Sequence, residues 1–484
     1  MRSGRRMPGQ IRPKALAGSG GSGAGQPRST ASLWLGPVAA CLLCSACARL
    51  PDINYLKTPI HAPAAPSVVD GKGILSERAA SLVLARRLGH SNVDAKLLAG
   101  LEEAATGRPL IAGNKVILLF DGPQTIAAMM AAVSEAKDSI NLETYLFDQD
   151  PLGLKFADLL IAKQKAGVQV NIIYDCVGTL GTPQTFFDRL QAAGIHLLPF
   201  HPVSPLHRLG HWRINNRDHR KILVVDGKVA FAGGVNITAA YSRSSPFRSK
   251  AKNTVTTGWR DTHLQIEGPA VAALQWMFLN NWASQQEGDL PGRDYFPALP
   301  PAGDKVLRVL ESQPGSNHEI FKAYFLAIEG ATRSIHLTVA YFVPDVQIMK
   351  ALVDAAKRGL DVKIILPGVS DSSIVSSAGH SYYTEMLEAG IKVYELRSSV
   401  LHAKTAVIDG SWSTVGSTNM DTRSFLHNKE VNIVVLGDEF GTEMESAFRD
   451  DLQDSNAIDL TRWRQRSHGQ KVKEWFGRLL SYWL

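Results

Sequence analysis

The chain has 484 residues, more than one typical core holds, and this length points to two or three domains. Its 45% hydrophobic and 20% charged content is that of a folded protein and excludes a wholly disordered or fibrous one. The formal net charge of +7 favours anionic partners, but Arg2, Arg5, Arg6, Arg12, Lys14 and Arg28 all lie in the leader, so the remainder is closer to neutral.

Residues 1–70 read as a leader and tether. A basic stretch precedes an apolar run from Leu33 to Ala46, and the small pair Ser45-Ala46 stands before Cys47. This pattern reads as an export signal and is similar to a bacterial lipoprotein signal, whose cysteine is lipidated after cleavage. Cys47 is the expected lipidation site and Cys41, after Val38-Ala39-Ala40, the alternative. An uncleaved anchor is the second reading, although the run is short of the ~20 residues that usually span a bilayer. Either places the protein at the membrane of a bacterial cell envelope. With Cys44 also in this stretch and Cys176 alone in the body, neither a disulfide framework nor a zinc site is expected. Gly18 to Gly25 reads as flexible, and Pro51 to Pro66 as an extended tether.

Residues 71–290 are expected to form a first domain with a helical extension, one or two helices over Ser76 to Thr106. Strand and helix patterns then alternate: Lys115 to Phe120, Gln124 to Ala136, Ser139 to Phe147, Lys155 to Ala166 and Val168 to Tyr174. That alternation predicts an α/β sheet flanked by helices. Prolines 291, 297, 300 and 301 mark a connection, and a second domain over residues 304–455 repeats the first. Ser139-Ile140-Asn141-Leu142 matches Ser334-Ile335-His336-Leu337, and Ala193-Gly194-Ile195 matches Ala389-Gly390-Ile391. A basic, aromatic tail fills residues 456–484. Over Lys471 to Leu484 it reads either as an interfacial helix or as a helix packing its aromatics on the domain.

The repeat carries chemistry. His219-Arg220-Lys221 followed by Asp226 recurs as His402-Ala403-Lys404 followed by Asp409, and Asn236 and Asn419 keep the same offset. In each copy a β-rich run meets an Asp-Gly pair, which predicts a strand, a tight turn and a returning strand. Residues two apart on a strand share a face, so each copy presents an imidazole and an ammonium together. The returning strands end in Gly233-Gly234-Val235-Asn236 and Gly416-Ser417-Thr418-Asn419, where the small residues Gly234 and Ser417 let a polar amide approach a phosphate.

Phosphodiester cleavage without a metal needs a nucleophile, a proton donor for the leaving oxygen and positive charge on the non-bridging oxygens. Two such motifs supply all three. His219 is the expected nucleophile and His402 the expected acid/base, with Lys221, Lys404, Asn236 and Asn419 on the oxygens. Asp226 and Asp409 complete the motifs and join the candidate catalytic set, although their turn positions suit structural support. The acids that orient the imidazoles are expected to be Asp261 and Glu430.

These residues resemble the phospholipase D superfamily. Asn216-Arg217-Asp218-His219-Arg220-Lys221, Trp259-Arg260-Asp261-Thr262-His263, Tyr341-Phe342-Val343-Pro344-Asp345 and Asn419-Met420-Asp421-Thr422-Arg423-Ser424-Phe425 are similar to phrases of bacterial cardiolipin synthases. The resemblance implies two tandem α/β domains, each a mixed sheet flanked by helices, packed face to face as a pseudo-dimer around one composite active site. It further implies transfer of phosphatidyl groups through a phosphohistidine, with no metal and no cofactor. Phosphatidylglycerol as donor and a lipid alcohol as acceptor is the first expectation, and hydrolysis to phosphatidic acid the second. A nuclease would show a basic run with interleaved aromatics, which the body lacks, so no nucleic acid is expected. A silent binding protein would not keep both motifs intact. The expected partners are anionic phospholipids and a membrane surface, and the expected state is a monomer with an internal pseudo-twofold.

Overall fold

A computed structural model describes residues 49–57, 65–88, 95–202, 215–241, 258–285, 288, 290–370 and 372–482. The stretch read as an export signal, with Cys41 and Cys47, lies outside the described residues. Among the described residues no helix is long and apolar enough to cross a membrane.

Each half builds one seven-strand pattern. In the first, neighbours run His196–Phe200, Gln169–Asp175, Ser139–Thr144, Ile222–Val225, Val229–Gly233, His263–Glu267 and Leu110–Leu119. In the second they run Lys392–Leu396, Asp361–Pro367, Ser334–Val339, Lys404–Ile408, Trp412–Gly416, Glu430–Leu436 and Lys305–Ser312. In both, the first three strands are parallel and the rest antiparallel. All of Ser139–Thr144 and Gln169–Asp175 is buried, as strands covered on both faces require.

The two patterns join where Leu110–Leu119 pairs antiparallel with Lys305–Ser312, through a register shift, so one mixed sheet runs through the molecule. The sheet also folds over on itself. Ile222, Val224, Ala232, Leu264 and Ile266 from the first half share a core with Leu307, Val407, Val415, Ile433 and Val435 from the second. The halves therefore meet both edge to edge and face to face, a tandem α/β fold with an internal repeat.

Local chemistry sets the helix ends. The helix expected over Gln124 to Ala136 begins at Gly122, because the Asp121 carboxylate accepts the Gln124 N–H and a proline occupies the first turn. Pro151–Lys165 starts the same way under Asp150, four residues before the apolar periodicity announces it. The predicted hairpins form with both turn residues left-handed: φ is 53° at Asp226 and 61° at Gly227, and 53° at Asp409 and 67° at Gly410.

The helical extension corrects the reading by sequence order. Its two helices, Glu77–Leu88 and Ala95–Thr106, precede the first half yet pack on the second. Leu84, Leu88, Ala99 and Leu110 belong to the core that holds Ile320, Phe325, Ile335 and Trp412. A buried ion pair between Glu102 and Arg308 locks the contact, and the Trp412 indole N–H donates to Glu102 Oε1 at 2.7 Å.

Candidate active site

The segments carrying the histidines are positioned by strands of the opposite half. The His219 N–H donates to Lys429 O at 2.9 Å, while the Lys429 N–H donates to Arg217 O at 2.8 Å, a parallel bridge centred on Asp218 and Lys429. Similarly, the His402 N–H donates to Arg260 O at 2.8 Å, extending a parallel pairing of Val400–Leu401 with Trp259–Arg260. In each case the residue after the bridging one is the acid. Glu430 follows Lys429, and Asp261 follows Arg260.

Consequently the carboxylates cross over. His219 Nδ1 lies 3.0 Å and 3.1 Å from the two Glu430 oxygens, and His402 Nδ1 lies 2.7 Å from Asp261 Oδ2. With Nδ1–H donated to a carboxylate, Nε2 of each ring is left for substrate. The two imidazole centroids stand 6.5 Å apart, room for a tetrahedral phosphorus between them. Both lysines fold back beside their histidines, Lys221 Nζ donating to His219 O and Lys404 Nζ to His402 O.

Four basic groups thus crowd one buried spot. Burial pushes His219 well below its ordinary value, and Lys221, Lys404 and His402 push it further. His402 is lowered by burial and Lys404. Burial brings the Lys221 ammonium down to about 7, and burial raises Glu430 to about 7. Asp261 behaves differently: burial works against its ionisation, yet His402 and Lys404 hold it below the usual carboxylate range.

The small residues have specific tasks. A Cβ on Gly234 would stand 2.0 Å from Asp261 Oδ1, so only glycine leaves that carboxylate its place. Ser417 Oγ donates to Glu430 Oε2 at 2.5 Å and fixes the other acid. Asn236, which lines the cleft, accepts the Leu146 N–H at Oδ1 at 3.1 Å, and its buried Nδ2 donor has no partner among the described residues. Asn419 lines the same cleft.

Asp226 and Asp409 stand apart from this group. The Asp226 carboxylate accepts the backbone N–H groups of Lys137, Asp138 and Ser139 at 2.8–3.1 Å. Asp409 does the same for Thr332, Arg333 and Ser334 at 2.7–2.8 Å. Both carboxylates tie their hairpin to the start of the neighbouring strand, the structural support that their turn positions suggest.

The cleft, about 380 Å³, is lined by His219, His402, Asn236 and Asn419, by Arg217, Trp259 and Arg423 from the phrases quoted above, and by Tyr145 and Asn428. The Trp259 ring lies 5.1 Å from His402 and Tyr145 5.0 Å from His219, an aromatic wall beside each imidazole. Tyr241 Oη lies 2.9 Å from His402 Nδ1 and donates to Asp261 Oδ2 at 3.1 Å. No sequence signal marks Tyr241. Asn428, two residues before the expected acid, donates from Nδ2 to Glu430 Oε1 at 3.1 Å.

The chain matches the family described as "Cardiolipin synthase, PLD-like domain" over residues 129–245 and 324–452. Among similar proteins, a cardiolipin synthase of Geobacillus kaustophilus is 36% identical over 77% of this chain and 73% of its own. One from Halalkalibacterium halodurans is 37% identical over 80% and 75% respectively. Among solved structures, phosphatidylserine synthase of Haemophilus influenzae aligns with a TM-score of 0.62 at 13% identity, covering 79% of this chain and 99% of that one, a likeness of fold.

Proposed function

Because this chain belongs to the cardiolipin synthase family with PLD-like domains, we propose that it transfers a phosphatidyl group from phosphatidylglycerol to the alcohol of a second lipid. The observation that carries the reading is the pair of imidazoles facing across 6.5 Å, each held by an acid from the other half.

His219 Nε2 attacks phosphorus, and the P–O bond to the head-group glycerol breaks as His402 gives that oxygen its proton. Glycerol leaves, and the phosphatidyl group remains on His219. His402, now neutral, takes the proton of the acceptor hydroxyl, whose oxygen displaces His219 from phosphorus. The strongly depressed proton affinity of His219 supports the nucleophile's role, since its lone pair is free at neutral pH. The ionised Asp261 beside His402 supports the acid's role by stabilising an imidazolium there. Lys221, Lys404 and the Asn236 amide supply positive charge to the non-bridging oxygens. The likeness to cardiolipin synthases is what favours a lipid alcohol over water as acceptor.

Purified protein incubated with phosphatidylglycerol vesicles tests this: cardiolipin with glycerol is the expected product, and phosphatidic acid alone would refute transfer. Rapid quench of His402→Ala on radiolabelled lipid is expected to trap a phosphoenzyme that His219→Ala does not form; the reverse result would exchange the two roles. A chelator is expected to leave the rate unchanged.

A further inference from the structure

The helix His468–Leu479 carries its amphipathic character outward. Val472, Trp475, Phe476, Leu479 and Leu480 recur at the spacing of one helical stripe, where a soluble protein turns such a stripe inward. Here they are 53%, 58%, 56%, 59% and 44% exposed. The buried residues, Glu474 and Gly477, lie on the opposite side. Arg466 pairs with Glu474 at 2.8–3.0 Å, and a Cβ on Gly477 would meet Ala378 N at 2.6 Å, so close packing against the helix Ser373–His380 requires glycine. Of the two sequence readings of the tail, aromatics packed on the domain therefore does not describe this helix.

The stripe sits beside the cleft. Val375, one turn before Ala378, lines the cleft, and the adjacent Ile374 is 51% exposed. At the other end the Tyr482 ring lies 5.8 Å from His427, next to the cleft residue Asn428. Lys471, Lys473 and Arg478, all exposed, flank the apolar stripe. We propose that this stripe docks into the head-group layer of an anionic phospholipid bilayer and sets the mouth of the cleft at that level. The proposal rests on the reading that the cleft takes a phospholipid. An apolar centre with tryptophan and basic flanks has the make-up of an interfacial helix. A second copy of the chain meeting the stripe about a twofold would set these basic flanks against each other.

The test uses the full-length protein with vesicles of brominated phosphatidylglycerol, whose acyl bromines quench tryptophan fluorescence at short range. Quenching is expected in the wild type and to lose one component in Trp475→Phe; equal quenching in the two would overturn the proposal. The triple variant Trp475→Ser, Phe476→Ser, Leu479→Ser changes only exposed side chains, so its thermal midpoint should match the wild type. Its activity on vesicles is expected to fall at least tenfold, with activity on short-chain lipid in detergent unchanged. Unchanged vesicle activity, or a dimer that the triple variant dissolves while vesicle binding persists, would sink docking. A wild type that is quenched through Trp475 but converts no lipid would instead refute the functional reading and leave docking standing.

Discussion

Lys221 and Glu430 both titrate at about 7, and the functional form of each is the opposite one. Burial has lowered Lys221, so its ammonium is present below pH 7 and lost above. Burial has raised Glu430, so its carboxylate, which holds His219, is present above pH 7 and lost below. The kcat/KM of the free enzyme is therefore expected to form a bell, whose alkaline limb the lowered His402 acid shares with Lys221. The alkaline limb of kcat should lie higher, because bound phosphate returns the proton to Lys221; steady-state kinetics across pH checks both. The same burial sets function against stability. Between pH 7 and the unfolded lysine value, the unfolded chain binds the extra proton, so this ammonium costs stability at neutral pH. Lys221→Met should abolish turnover while raising the thermal midpoint by about 2–5 °C, read by calorimetry. Asp261→Asn and Glu430→Gln should each lower kcat by roughly 10³–10⁴, since an amide no longer holds the imidazole in its working tautomer.

Among the elements, the hairpins bear the strictest demand. Asp226 accepts three backbone N–H groups from a left-handed position, and alanine there would lose those bonds and strain the turn. Asp226→Ala is expected to cost about 2–4 kcal/mol in urea unfolding and to leave kcat per folded molecule close to wild type. A large loss of kcat in folded protein would restore a catalytic role. The hairpins were legible in the sequence because an Asp-Gly turn between β-branched runs is decided within a few residues. The helix starts at Gly122 and Pro151 were less so, since a capping aspartate lies outside the apolar periodicity. Tyr241 was illegible for a different reason: it reaches His402 only through tertiary packing, and nothing around it in the chain records that contact.

At the scale of the whole molecule, the internal repeat announced both the paired site and its symmetry. It did not announce which half the extension serves, because the partners Glu102 and Arg308 are distant in sequence and neither belongs to a repeated phrase. Deleting residues 1–106 should therefore destabilise the second half more than the first. Amide hydrogen exchange would show it as faster exchange in Lys305–Ser312 and Glu319–Gly330 than in Gln169–Asp175. The placement also imposes a schedule on synthesis. Glu77–Leu88 and Ala95–Thr106 emerge roughly 200 residues ahead of the strand that covers them, a wait on the order of 10–40 s at ~5–20 residues per second. Through that interval Leu84, Leu88 and Ala99 lack the second-half side chains of their core, so the nascent chain carries an apolar, aggregation-exposed segment until the second half arrives.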